Sequence, residues 1–218
     1  LPIAERTGAA PASTHPGRMH ACGHDAHTAM LLGAARYLAE TRAFAGTVAL
    51  VFQPAEESHG GARIMREEGI LDRFGIREIY ALHSAPGTPV GQFVTAPGPL
   101  MAAVDSFTIR LHGQGGHAAM PHRTRDPIVA ACQMVGAIQT VASRDRDPLA
   151  RVVVAVSQIH AGSADNVVPD GAWLNGTVRT FDRALRETVR RRLAAIAEGI
   201  AAAHGVAALL DWAPGYPP

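Results

Sequence analysis

Within nine residues, Met19-His20-Ala21-Cys22-Gly23-His24-Asp25-Ala26-His27, the chain gathers one thiol, three imidazoles and one carboxylate around a glycine. A hydrophobic core has no use for that mixture, and it reads as one edge of a metal site. Cys22 and His24 are two apart, a spacing that lets an extended or turning segment aim both side chains at one point. Thiolate and imidazole both ligate borderline divalent metals. Pro54-Ala55-Glu56-Glu57 adds two adjacent carboxylates. In an apolar neighbourhood such a pair repels and requires a cation or a proton. One carboxylate can bind metal while the other takes a proton from activated water, the division of labour in metal-assisted hydrolysis. The same pair would also suit the positive end of a helix. His83 closes the next apolar run and completes a Cys22, His24, Glu57, His83 donor set.

A second group lies further on. Gly113-Gln114-Gly115-Gly116-His117 places three glycines ahead of a histidine, which predicts a tight backbone path presenting His117 from a loop. Asn166, in Asp165-Asn166-Val167-Val168-Pro169, and Arg179 stand near expected strand ends. An arginine at such a place can grip a carboxylate bidentately, although the period of two leaves the direction of Arg179 open.

The elements that must position these residues follow from hydrophobic spacing. Residues 1–18 are rich in Pro, Ala, Gly, Ser and Thr and read as loop. A helix is predicted over 25–40, with Leu31, Ala34, Ala35 and Leu38 as its buried stripe. Thr47 to Phe52 and Glu78 to Leu82 have the length and composition of strands buried on both faces, with a helix over 61–68 between them. Functional residues at strand ends fit an open α/β sheet. After Pro97-Gly98-Pro99 the pattern changes. Alternation predicts a strand over 105–112, with Phe107, Ile109 and Leu111 inward. A helix follows from Asp126, with Ile128, Cys132, Val135 and Ile138 as its stripe, then strands over 151–159 and 172–179. Asp182 caps a long helix carrying Leu185, Val189, Leu193, Ile196 and Ile200, and 206–210 forms the last strand. The order β-α-β-β-α-β predicts a ferredoxin-like sheet covered by two helices.

The 218 residues carry a formal net charge of +1, with 47% hydrophobic and 18% charged residues. This balance offers no basic stripe for nucleic acid and no acidic tail. No run of 18 apolar residues points to a membrane. Two cysteines do not make a disulfide framework, so a reducing, cytoplasmic setting is expected.

Four segments, Gly17 to Thr28, Phe52 to Glu57, Gly116 to His122 and Asn166 to Pro169, together resemble the metal-dependent amidohydrolases of the M20 peptidase superfamily. The branch most similar is that of hippurate hydrolases, N-acyl-amino-acid amidohydrolases and auxin-conjugate hydrolases. The resemblance implies an α/β chain with a partial zinc-peptidase-like catalytic domain over 1–99. It also implies an inserted ferredoxin-like α+β dimerisation (lid) domain over 100–213, and a return toward the catalytic domain at 214–218. It implies two divalent metal ions (Zn²⁺, Mn²⁺, Co²⁺ or Ni²⁺) held by Cys22, His24, Glu57 and His83, with Glu56 as general base. His117 would reach into the partner subunit's site of a homodimer and steady the tetrahedral intermediate, and Asn166 and Arg179 would contact substrate. The substrate class implied is an N-acyl amino acid. A dipeptidase, a diaminopimelate-type deacylase and a catalytically incomplete dimerising module are the alternatives. Family members carry an aspartate-rich segment ahead of Leu1-Pro2-Ile3 and a later segment with one more histidine ligand, so the chain is expected to be an internal fragment. The run His83-Ser84-Ala85-Pro86-Gly87 departs from the family in lacking an aromatic residue.

Overall fold

The computed structural model describes residues 1–57 and 60–218. The chain divides into two compact units, Leu1–Phe93 and Val94–Pro218.

One long helix organises the first unit. Helix α1 spans His24–Thr41, beginning after Gly23 at φ 77° and ending at Arg42 in the left-handed region. The amide of His27 closes the first turn on the Gly23 carbonyl at 3.0 Å. The half-buried positions of α1 are His24, His27, Leu31, Ala35 and Leu38. Their spacings of three, four, four and three trace one face. The expected stripe is therefore right at Leu31, Ala35 and Leu38, while Ala34 faces solvent. Helices α2 (Gly61–Glu67) and α3 (Ile70–Arg73) follow.

The two strands expected in this unit do not form. Neither 47–52 nor 78–82 joins a ladder. Their side chains are open, with Phe52 46% and Tyr80 87% exposed. An apolar run records a preference for burial, whereas a strand also needs a neighbour's N–H and C=O groups in register. These two runs do not provide that to each other.

The second unit is built as its alternation dictates. Strand β1 (Ala103–His112) buries every second side chain, Phe107, Ile109 and Leu111 among them. After the two-residue strand β2 (Gly116–His117) comes helix α4 (Pro127–Ser143), capped by the Asp126 carboxylate accepting from the Ile128 amide at 2.8 Å. Strand β3 (Val152–Ala161), the two-residue β4 (Val167–Val168) and strand β5 (Gly171–Thr180) follow. Helix α5 (Arg183–His204) is capped by Asp182, which accepts from the Leu185 amide at 2.7 Å, and β6 (Ala207–Pro214) ends the unit. The four long strands lie in the order β3-β5-β1-β6, each neighbour antiparallel, while β2 pairs with β4 in a separate ribbon. This is the ferredoxin-like topology. Both helices cover one face of the sheet around Leu174, Val178, Met134, Ile138, Val189 and Leu193.

The phase of α4 differs from expectation. Its buried positions are Pro127, Ala130, Ala131, Met134, Ile138 and Val141, whereas Ile128 and Cys132 face outward. Val135 and Ile138 of the expected stripe do pack on the core, so the expectation fails only in the first half of the helix. The two alanines face inward because small side chains let the helix approach its neighbours closely.

One carboxylate is sealed into this unit. Asp105, with no exposed side-chain surface, accepts from Arg186 Nε at 2.7 Å, from Arg186 Nη2, and from the Gly215 amide at 3.0 Å. Arg186 Nη2 also donates to the Gly215 carbonyl at 3.0 Å. The bond to Asp105 holds the Arg186 guanidinium above its ordinary pKa.

Candidate metal centre

In the first unit, three separate stretches of sequence deliver donor atoms to one place. Cys22 comes from the turn before α1, His24 from the first residue of α1, Glu56 and Glu57 from the turn after Pro54, and His83 from the end of the second apolar run. Ala55 adopts φ 50°, a conformation that costs a non-glycine residue about 1 kcal/mol. That strain sits directly before the two carboxylates.

The distances carry the chemistry. His83 Nε2 lies 3.4 Å from Cys22 Sγ. His24 Nε2 lies 3.6 Å from a Glu56 oxygen and 3.7 Å from a Glu57 oxygen. The donor atoms of Cys22, His24 and His83 all fall within 4.8 Å of one another, as do those of His24, Glu56 and Glu57. Ligands about 2.0–2.3 Å from a tetrahedral ion stand roughly 3.3–3.7 Å apart. A direct charge-assisted hydrogen bond would be shorter, about 2.7–2.9 Å. The 3.6 and 3.7 Å separations from His24 to the two carboxylates exceed such a bond, and a divalent cation could be held among these donors. Thiolate, imidazole and carboxylate in one group suit a divalent transition metal.

Electrostatics point the same way. Burial pushes the Cys22 thiol above its ordinary pKa, and the Glu57 and Glu56 carboxylates push it further. A cluster that makes its own thiolate unfavourable is one that a cation would relieve. His24 joins both groups, but its Nε2 has one lone pair and serves one ion. A thiolate or carboxylate has several and can bridge two.

The structure also brings in His27, which the sequence offers only as the last imidazole of the Met19–His27 cluster. His27 Nε2 lies 2.9 Å from the Ser84 amide and 3.1 Å from Ser84 Oγ, and its ring centroid is 4.4 Å from that of His83. Burial, and then the nearby His83 and His24, hold its pKa below the ordinary value. The signal was present in the sequence, since His27 continues the stripe His24, Leu31, Ala35, Leu38. His20 and Asp25 stand apart, 4.0 Å from each other and exposed.

In the second unit, His117 and Asn166 come together. His117 lies opposite Val167 in the β2–β4 ribbon, and the Ala118 amide donates to the Asn166 carbonyl at 2.9 Å. The Ala119 amide donates to His117 Nδ1 at 3.1 Å, which leaves the proton of a neutral ring on the exposed Nε2. The glycines ahead of it are needed for close approach. A Cβ on Gly115 would lie 2.5 Å from the Val168 carbonyl, and one on Gly113 would collide with the Arg125 carbonyl. The Asp170 carboxylate accepts from the Gly115 amide at 2.7 Å and fixes the loop. Arg179 is not part of this cluster. It sits on the sheet face away from the helices, paired with Val104 and Val153. It stands eight positions along β5 from Gly171, a run of about 27 Å at strand rise.

Sequence and structure comparisons place the chain in a family. The model of peptidase family M20/M25/M40 matches residues 1–209. The N-acetyl-L-cysteine deacetylase of Bacillus subtilis is 48% identical over 219 residues, covering 100% of this chain and 52% of the relative. The N-acetyldiaminopimelate deacetylase of Streptococcus uberis is 42% identical, covering 94% of this chain and 54% of the relative. Among solved structures, a dinuclear metal-binding peptidase of the M20 family from Bacillus subtilis superposes with a TM-score of 0.80 at 41% identity, over 100% of this chain and 55% of that one. The chain belongs to peptidase family M20/M25/M40. It spans about half the length of the curated relatives it matches.

Proposed function

We propose that the protein is a metal-dependent amidohydrolase that cleaves the amide bond of N-acyl amino acids, releasing a carboxylic acid and a free amino acid. The observation that carries this reading is the pair of donor triads sharing His24 at metal-ligand spacing. Cys22, His24, Glu57 and His83 would hold two divalent ions, drawn from Zn²⁺, Mn²⁺, Co²⁺ and Ni²⁺. When bound, the ions supply Lewis acidity toward the amide carbonyl and lower the pKa of water. Glu56 takes the proton of the attacking water and passes it to the leaving nitrogen, which balances the hydrolysis. His117, with Nδ1 occupied by the Ala119 amide, offers Nε2–H as a hydrogen-bond donor to the tetrahedral oxyanion of a second copy's site. Asn166, and by the family pattern Arg179, would contact the substrate.

The names of the relatives support small acyl groups, N-acetyl above all; a hippurate-like benzoyl group is the broader form of the proposal. A homodimer formed through the second unit is part of the same proposal, as is a cytoplasmic location. No helix among the described residues is long and apolar enough to cross a membrane. The test is a panel of N-acetyl amino acids, N-benzoyl amino acids and dipeptides offered to metal-loaded protein, with metal content measured in parallel. Hydrolysis of N-acyl amino acids is expected. Binding of metal without cleavage of any N-acyl amino acid would overturn the activity.

A further inference from the structure

We propose that His27 is a positioning residue of the metal centre, acting through the backbone of Ser84 to aim His83. The proposal rests on the metal-centre reading above and adds a role outside the ligand set.

The geometry at Ser84 is unusually complete. The Ser84 amide donates to His27 Nε2 at 2.9 Å. The Ser84 carbonyl accepts from His83 Nδ1 at 2.8 Å. A carbonyl only accepts, so Nδ1 of His83 must carry the proton. In that tautomer Nε2 is the lone-pair nitrogen, and it lies 3.4 Å from Cys22 Sγ. Metal-binding imidazoles are ordinarily fixed by a hydrogen bond at their second nitrogen. Here the acceptor is the residue directly after the ligand, on a run that joins no ladder. A carbonyl on such a run holds the ring only if something holds the run, and His27 does so from α1.

His27 lies three residues after His24, so one turn of α1 supplies both a ligand and the anchor for another ligand. The turn before the helix is shaped to the same point. Gly23 stands at φ 77°, and a Cβ there would lie 2.9 Å from Ser84 Oγ. Ser84 Oγ also lies 3.5 Å from the Cys22 carbonyl, but the load rests on the Ser84 backbone, not on its hydroxyl.

The test compares His27→Gln, which keeps an acceptor near the position of Nε2, with His27→Asn, whose acceptor is too short to reach the Ser84 amide. Both are polar. Far-UV circular dichroism monitors α1, and Co²⁺ titration reads the site through its thiolate-to-cobalt charge-transfer absorption and d–d bands. The expected result is a Co²⁺ affinity within about threefold of wild type for His27→Gln and about 10–100-fold weaker for His27→Asn. Ser84→Ala, which keeps the backbone groups, is expected to match wild type. Equal affinity in the Gln and Asn variants, whether both normal or both impaired, would overturn the proposal. Failure of the wild-type protein itself to bind Co²⁺ would instead overturn the metal-centre reading.

Discussion

Asp105→Ala tests whether the second unit is held as the structure describes. The carboxylate has no exposed surface and accepts three hydrogen bonds, two from Arg186 and one from the Gly215 amide. Removing one partner of a buried ion pair typically costs about 3–5 kcal/mol, because the other charge is left unpaired. Arg186 keeps 20% of its side-chain surface in solvent and can be partly rehydrated, which favours the lower end of that range. The Gly215 amide, left without its acceptor, adds back about 1 kcal/mol or more. The net expectation is a loss of about 3–4 kcal/mol. Both tryptophans of the chain, Trp173 and Trp212, lie in the second unit, so urea unfolding followed by tryptophan fluorescence reports that unit alone. With a slope of about 1–2 kcal/mol per molar urea for a unit of this size, the midpoint should fall by roughly 1.5–4 M. The double variant Asp105→Leu with Arg186→Met should recover most of the loss, since hydrophobic replacement of a buried pair is often neutral. A loss below about 1 kcal/mol for Asp105→Ala would refute the sealed ion pair and the packing of Gly215 against it.

Other perturbations address the site. Glu56→Gln should lower kcat by about 10²–10⁴-fold with metal content unchanged in elemental analysis, the signature of a lost general base. Cys22→Ala should reduce bound metal per chain and abolish the thiolate-to-cobalt absorption, measured by equilibrium dialysis and visible spectroscopy. Gly115→Ala should force the β2–β4 ribbon apart, since its Cβ would lie 2.5 Å from the Val168 carbonyl; kcat should fall at least tenfold while the metal stays bound. Chelation should remove activity and re-addition of a divalent transition metal should restore it, followed by turnover of an N-acetyl amino acid.

The second unit was legible because its strands face a core on one side only. Alternation then records direction residue by residue, and Phe107, Ile109 and Leu111 point inward as the pattern required. Helix α5 was legible for the same reason, with Val189 and Leu193 on its buried face. Helix α4 was misread because alanine carries little hydrophobic signal, although Ala130 and Ala131 are fully buried. In the first unit, composition recorded how strongly 47–52 and 78–82 favour burial, but strand formation depends on partners in register, and a run's own composition does not encode them.

The site shows the same division between what residue types say and what only geometry decides. Cys22, His24, Glu57 and His83 were recognisable because thiol, imidazole and carboxylate have few structural uses in combination. Arg179 shows the converse. A lone strand-end arginine has a period of two and no partner in the pattern, so nothing local chose its face, and the structure pairs it with Val104 and Val153 in the large sheet, outside the β2–β4 ribbon that carries His117. His27 falls between these cases. Its type was suggestive and its place in the α1 stripe was visible, yet its use depends on meeting Ser84, 57 residues away. Ligand identity follows from chemistry that a sequence displays directly. Ligand orientation follows from backbone groups brought together by the fold, and in this protein one turn of α1 carries both a proposed ligand, His24, and the proposed anchor of another, His27.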